Sequence, residues 1–194
     1  MQVTEFQQHT KVCSECKSIH KANFPTNLNA TVQYGDNIKS LISYGNTYQM
    51  IPYERISEMV EDFTSHKISK GTIFSMLQNC YNKLEDYEND IKKLLLNENV
   101  IHCDETGVSV AGKLHYTHVI SLTNFAVPFT NNLTERDLRM IKVKEKISGT
   151  FASFRGGEIF NRIRGYISTV KKNNRSMLAE LNNIFVGRAF VPLG

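Results

Sequence analysis

Val100-Ile-His-Cys-Asp-Glu-Thr-Gly107, Val108-Ser-Val-Ala-Gly-Lys113 and Leu114-His-Tyr-Thr-His-Val-Ile-Ser121 interrupt the period of the chain and decide its class. The first is a short apolar run that ends in an acidic turn. The other two alternate apolar with polar residues, as half-buried strands do. With Gly107 and Gly112-Lys113 as the turns, this stretch predicts a three-stranded antiparallel meander. Outward from it, in both directions, the spacing is helical. Val32, Ile38, Leu41 and Ile42 keep a helical period up to Gly45-Asn46, and Pro52 sits where a first helical turn accepts proline. Ile56, Met59, Val60 and Phe63 then form an amphipathic stripe, and Ser69 is an N-cap for a helix carrying Ile73, Met76, Leu77, Cys80 and Leu84. Past Pro128, Leu133, Leu138 and Ile141 mark another helix. An Arg-rich helical stretch over about 156–172 and a last helix over about 176–186 follow. The class that emerges is α+β, mainly helical with one small sheet.

Composition narrows the function. The 194 residues are 41% apolar and 22% charged, ordinary values for a chain with a real core. No run approaches the ~18 consecutive apolar residues of a membrane span, and the N-terminal MQVTEFQQHTK has no apolar block of the kind a secretory leader carries. Four cysteines are too few for a disulfide scaffold, which places the chain in the reducing cytoplasm. The net charge of +4 is uneven: residues 131–194 carry 12 Lys+Arg against 5 Asp+Glu, and residues 1–130 carry 11 against 14. A basic third points to a polyanion, nucleic acid first. Its bland counterpart is a solvated Lys/Arg-rich helical surface.

Three groups of residues could carry chemistry. Cys13-Ser-Glu-Cys16 is half of a Zn²⁺ site, since a structural zinc takes four N/S ligands and no second C-x-x-C follows. The flanking residues 1–25 read as poorly ordered. The pair of helices meeting at Ile68-Ser-Lys-Gly-Thr72 has the outline of a helix-turn-helix, which puts Lys70 at the mouth of a DNA-reading helix. Asp104 closes the first strand and Glu135 lies in the first turn of a helix, hard oxygen donors of the type that suits Mg²⁺. Each has a structural alternative: Asp104 and Glu105 before Thr-Gly suit a solvated turn. Glu135 falls three residues after Asn132, the N3 place of a capping box, and has Arg139 at i+4.

At these two acids the chain resembles the transposases of the insertion-sequence-66 (IS66) family. The resemblance runs in order through Val32-Gln-Tyr-Gly35, Tyr48-Gln-Met-Ile-Pro-Tyr-Glu-Arg55, Ile68-Ser-Lys-Gly-Thr72 and His102-Cys-Asp-Glu-Thr-Gly107. It continues through Val127-Pro-Phe-Thr-Asn-Asn-Leu-Thr-Glu-Arg-Asp-Leu-Arg139, Lys142-Val-Lys-Glu-Lys-Ile-Ser-Gly-Thr-Phe151 and Arg164-Gly-Tyr-Ile-Ser-Thr-Val-Lys171. It implies a DDE transposase with a ribonuclease-H-like core, in which Asp104 is the first catalytic acid and Glu135 the last, holding Mg²⁺ for DNA strand cleavage and transfer. Asn131, Asn132, Arg136 and Arg139 match the surroundings of the family's Glu. Transposon-end DNA is the implied partner, with Lys70, Arg136, Arg139, Lys142, Lys144, Lys146 and Arg155 as candidate contacts. Cys13 and Cys16 match the second pair of the family's zinc-binding region, whose first pair would precede Met1.

One departure sets the functional expectation. In the family a long segment separates the meander from the Val-Pro-Phe-Thr-Asn-Asn block, and it carries further strands and the second catalytic Asp. Here Leu122-Thr-Asn-Phe-Ala126 joins the two directly. The expectation is therefore an internally deleted, N-terminally truncated transposase, defective in catalysis. The alternative is a non-enzymatic DNA-binding protein that occupies transposon ends. Its parts would be a zinc-binding remnant (1–25), a helical region (26–98) and a partial catalytic core with basic helices (99–194). The meander is expected to leave Val100, Val108, Val110, Val119 and Ile120 exposed unless the C-terminal helices pack there, and so to invite self-association.

Overall fold

A computed structural model of the chain describes residues 4–26, 28, 30–97, 101–122 and 132–192, with the side chains of 102, 121–122 and 132–134 left aside. The backbone divides into two units, 1–35 and 36–194. In the first, β1 (Thr10–Val12) pairs antiparallel with β2 (Ile19–Lys21), so the segment expected to be poorly ordered holds a short hairpin. Its turn is tied by Lys17 N–H donating to Cys13 C=O at 3.1 Å and Cys13 N–H donating to Ser18 C=O at 2.9 Å.

The second unit is built from helices with one long hairpin laid against them. α1 (Asp36–Ser43) runs into a π-helical turn over Tyr44–Tyr48, where the sequence placed its break. α2 (Tyr53–Thr64) starts directly after Pro52, whose fixed φ suits the entry to a helix. α3 (Lys70–Lys83) is capped as expected, with the Ser69 hydroxyl accepting from Thr72 N–H at 3.0 Å. α4 (Glu85–Leu96) is separate from α3, because the chain leaves helical geometry at Leu84. α5 (Asn132–Ser148), α6 (Phe154–Lys172) and α7 (Met177–Phe185) complete the set. Among the described residues, no helix is long and apolar enough to cross a membrane.

Burial follows the stripes except at Val32, which precedes α1, and Phe63 near the end of α2, which are 66 and 76% exposed. Ile159, Phe160, Ile163, Tyr166, Ile167 and Val170 make one face of α6 and are all buried. α6 packs on α3 and α7, and α7 packs on α1. Ile42, Ile73, Leu77, Leu181 and Ile184 are sealed from solvent on those elements. Tyr87 fastens α4 by donating its hydroxyl to Thr169 at 2.9 Å, its ring edge-on to Tyr166 at 4.9 Å.

The meander expectation needs correcting. Residues 101–110 form one continuous strand, β3 (Ile101–Val110), paired in unbroken register with β4 (Lys113–Leu122). Gly107 is not a turn. It sits opposite Tyr116 inside the ladder, and a Cβ there would meet Leu114 Cδ1 at 3.1 Å. The real turn is Ala111-Gly112, both at positive φ (49° and 79°), the two-residue form whose twist matches a hairpin.

A two-stranded ribbon is marginal alone, and here it lies on helices. Val108 and Val110 are buried in one cluster with Met50, Leu138, Ile141 and Phe160. The condition attached to the exposed-face expectation is thus met on this side, where α5 packs against both strands. The opposite face stays open, with Ile101, Leu114, Tyr116 and Ile120 at 49, 68, 59 and 48% exposure. Val100 lies outside the described residues. Past Gly107, the outer edge of β3 is closed by α5 and the α5–α6 connection. Ser109 N–H donates to Glu145 Oε1 at 2.7 Å, and Gly107 C=O accepts from the Lys142 ammonium. Phe151 bonds through its backbone to Ser109 C=O (3.1 Å) and Ala111 N–H (2.8 Å).

Because Ile163 is fully buried on the face of α6 that carries most of the core, Ile163→Ala is expected to lower unfolding free energy by about 2–5 kcal/mol. Urea denaturation measures this, with Phe63→Ala, at a 76% exposed position, expected to stay within ~0.5 kcal/mol of the parent.

Candidate functional site

Asp104 lies on β3 opposite Val119, on the same side of the ribbon as Val108 and Val110. It is half-buried, and its Oδ1 accepts from Glu105 N–H at 2.9 Å. Glu135 is in the first turn of α5, exposed, and its Oε1 accepts from Arg139 Nη2 at 2.8 Å, the i+4 pair that the spacing foretold. Asn131 and the side chain of Asn132 lie outside the described residues. Glu105 is the other acid between Asp104 and Glu135 in sequence. It falls on the opposite face of the ribbon, 3.5 Å from its cross-strand neighbour His118. Among the described residues no three His, Cys, Asp or Glu side chains gather as metal ligands. Among the described residues, Asp104 and Glu135 alone do not fit the demands of paired Mg²⁺ ions, which need several bridging carboxylates in octahedral geometry.

The thiol pair lies in the first unit. Cys13 is partly covered and Cys16 exposed. The Cys16 thiol is pulled down to about 7, chiefly by its hydrogen bond with the Ser18 hydroxyl at 3.0 Å. Ser18 is bonded in turn to His20 Nε2 at 3.0 Å. Two thiols are half of the ligand set of a structural zinc, and the described residues of this hairpin do not complete it.

The basic residues divide by how far their charge is already spent. Lys70 is exposed but paired with Glu54 at 3.0 Å. Arg155 is held by Gln78 (3.0 Å) and Glu158 (3.3 Å) and lies over Tyr81, which Arg162 covers at 3.6 Å. Arg139 is bound to Glu135, and Lys142 to Glu145 and Gly107 C=O. Lys144 faces inward at 8% exposure, its ammonium 5.8 Å from the Phe160 ring centre, and burial pushes its pKa down to about 8. Arg136 and Lys146 are exposed, with no hydrogen bond or ion pair to another described residue.

Sequence reading missed a second constellation. Asn161, Arg164, Gly165, Ser168 and Lys172 recur along one side of α6 and line a half-open cleft of about 180 Å³, its other walls Asp137 and Ile141 of α5 and Thr117–Ile120 of β4. Asp137 Oδ2 accepts from Ser168 at 2.5 Å and Lys172 at 3.0 Å. Asn161 Nδ2 donates to the Thr117 hydroxyl at 3.1 Å. Arg164 Nε and Nη1 are buried without a hydrogen-bond acceptor among the described residues, and burial draws this guanidinium below its ordinary pKa. Asp137 opposes that shift and Arg136 adds to it. The signal in the sequence was the polar i, i+3, i+4 recurrence beside the apolar stripe. A helix with a second, polar stripe is easily taken for a solvated one.

A family model described as Transposase IS66 family matches residues 31–125 and 119–159. No curated protein and no solved structure matches the chain.

Lys144 yields a pH signature. A lysine titrating near 8 when folded and near 10.5 when unfolded leaves the unfolded chain holding more protons between those values. Its contribution to stability is therefore lowest below pH 8, rises from about 8 to 10.5, and is complete above. Denaturation across that range should show stability gained relative to Lys144→Met, whose own profile lacks this step.

Proposed function

Because the chain belongs to the IS66 family of transposases, we propose that it acts on transposon-end DNA as a catalytically defective member, one that holds the ends without cutting them. A single observation carries this reading. The family model matches in two stretches that overlap at 119–125, and Leu122–Ala126 there join segments that the family resemblance holds far apart. Loss of a segment at that junction accounts for the sequence between Asp104 and Glu135, whose one remaining acid, Glu105, points away from Asp104. Two carboxylates, one of them engaged by Arg139, leave strand cleavage without the third acid that the family's chemistry requires.

Grip on DNA asks less of the chain. Phosphate contacts need exposed or unpaired cations on rigid elements. α5 presents Arg136, Arg139, Lys142 and Lys146 to solvent, and residues 131–194 hold most of the excess positive charge. Helices α2 and α3, joined by a short turn with Ser69 and Lys70 at its end, are the second candidate contact. Such a protein would work in the cytoplasm and compete with intact enzyme for the same ends. The open apolar face of the β3–β4 ribbon adds a tendency to self-associate.

Two assays test the proposal on DNA carrying the element's terminal repeats. Gel shift should show binding that weakens steeply with salt, about 0.9 log units of affinity per log unit of salt for each phosphate neutralised. Incubation with Mg²⁺ should give no nicked or joined product. Turnover that Asp104→Ala or Glu135→Ala removes would overturn the loss of catalysis, and absence of binding at low salt would overturn the DNA role.

A further inference from the structure

We propose that the outer edge of β4 is a docking site for one extended strand of a partner protein, which adds to the ribbon as a third strand.

The two edges of the ribbon differ. Gly107 and Ser109 aim backbone groups outward from β3, where Lys142, Glu145 and Phe151 take them up. In an antiparallel ladder, a residue whose N–H and C=O point outward stands opposite one that does the same. The register partners of Gly107 and Ser109 are Tyr116 and Leu114. These two and, at the same period, His118 and Ile120 therefore turn N–H and C=O away from β3. None of those backbone groups bonds to another described residue. A row of donors and acceptors that repeats at every second residue is matched by the main chain of an extended polypeptide.

This edge is also undefended. Open strand edges are ordinarily blunted by charge, proline or a bulge. From Leu114 to Leu122, β4 has no Lys, Arg, Asp, Glu, Pro or Gly, and its register with β3 runs without a bulge. Leu114, Tyr116 and Ile120 stand exposed on the open face, so an added strand gains apolar contact there at alternate positions. Its other side chains face the half-open cleft, where Thr117, Asn161 and Ser168 offer polar contacts. Gly165, on the α6 wall, has nothing within 4 Å of where a Cβ would stand, which leaves room for close approach. The partner segment is thus one that alternates apolar and polar residues.

α6 selects a lone strand over a second copy of the chain. Asn161 bonds Thr117 at 3.1 Å and the Phe154 ring lies 5.5 Å from that of His115, so α6 runs along β4. Two β4 edges paired about a twofold axis would stand ~4.8 Å apart. That pairing would crowd two α6 helices together where packed helices need ~8–10 Å. A strand with no flanking helix meets no such conflict.

The probe is an acetylated and amidated peptide, Thr-Val-Thr-Val-Glu-Val-Thr, titrated into the full chain and followed through backbone amide resonances. Binding at ~1 mM or tighter is expected. It should shift the amides of Leu114, Tyr116, His118 and Ile120 and slow their exchange with solvent. Methylating one alternate set of peptide nitrogens should abolish binding, and methylating the other set should leave it intact. His118→Pro removes an outward N–H while keeping the ladder to β3, and Ile120→Lys adds the missing edge charge. Each should weaken binding about tenfold, with folding checked by thermal melting. If His118→Pro fails to fold, Ile120→Lys decides.

A peptide that moves no β4 amide at millimolar concentration would overturn the proposal, as would equal binding of both methylated forms. Parental affinity in folded Ile120→Lys would also overturn it. Outward β4 amides that exchange as slowly as those of His115, Thr117 and Val119 in the free chain would show the edge already covered, with the same result. A dimer seen by light scattering that protects these outward amides would put a second copy on the edge and overturn the choice of partner.

Discussion

The seam between a two-stranded ribbon and the helices beneath it governs the rest of the second unit. A hairpin with ten paired residues on each strand buries too little to persist by itself. It persists because Val108 and Val110 enter a cluster with Leu138, Ile141 and Phe160. Burial of this kind contributes ~25 cal/mol per Å² of apolar surface, enough for a few valine and leucine side chains to offset the ordering of a short ribbon. The polar edge is answered at the same time. Backbone groups of Gly107, Ser109 and Ala111 that would otherwise face outward meet Lys142, Glu145 and Phe151. One helix thus supplies apolar contact on the face and charged partners at the edge, and both fix where Asp104 and α5 stand.

The cost of that arrangement shows in its basic residues. Cations that composition presents as a reservoir for nucleic acid are largely engaged within the protein: Lys142 on the strand edge, Arg155 and Arg162 around Tyr81, Lys144 under the ribbon. A count of Lys and Arg registers the charge of a segment but not its commitments. Arg164 is the contrary case, a guanidinium whose Nε and Nη1 are buried without an acceptor among the described residues, as is Asn161 Oδ1 without a donor one turn before it.

Helices were legible in the sequence because their signals are local. Ser69 caps α3, the α6 stripe is buried along its length, and the i+4 pair of Glu135 with Arg139 forms as its spacing implies. Gly107 misled because a glycine between two apolar runs looks like a turn, while its role is set by a cross-strand neighbour that no local window contains. The split between α3 and α4 at Leu84 was hidden by an apolar stripe that runs through it. The two acids were found through family resemblance, not spacing, and the α6 cavity was missed because its walls come from three elements distant in sequence.

The α5–α6 connection does more than join two helices. Gly149 turns the chain through positive φ, and Phe151 then runs beside the tip of the hairpin, exchanging backbone bonds with Ser109 and Ala111 while its ring lies 5.5 Å from Phe160. A linker stitched to a strand end cannot loosen alone. Fraying of the hairpin tip and slackening of the interhelical strap are one event, so the amides of Ala111 and Phe151 belong to a single cooperative opening unit.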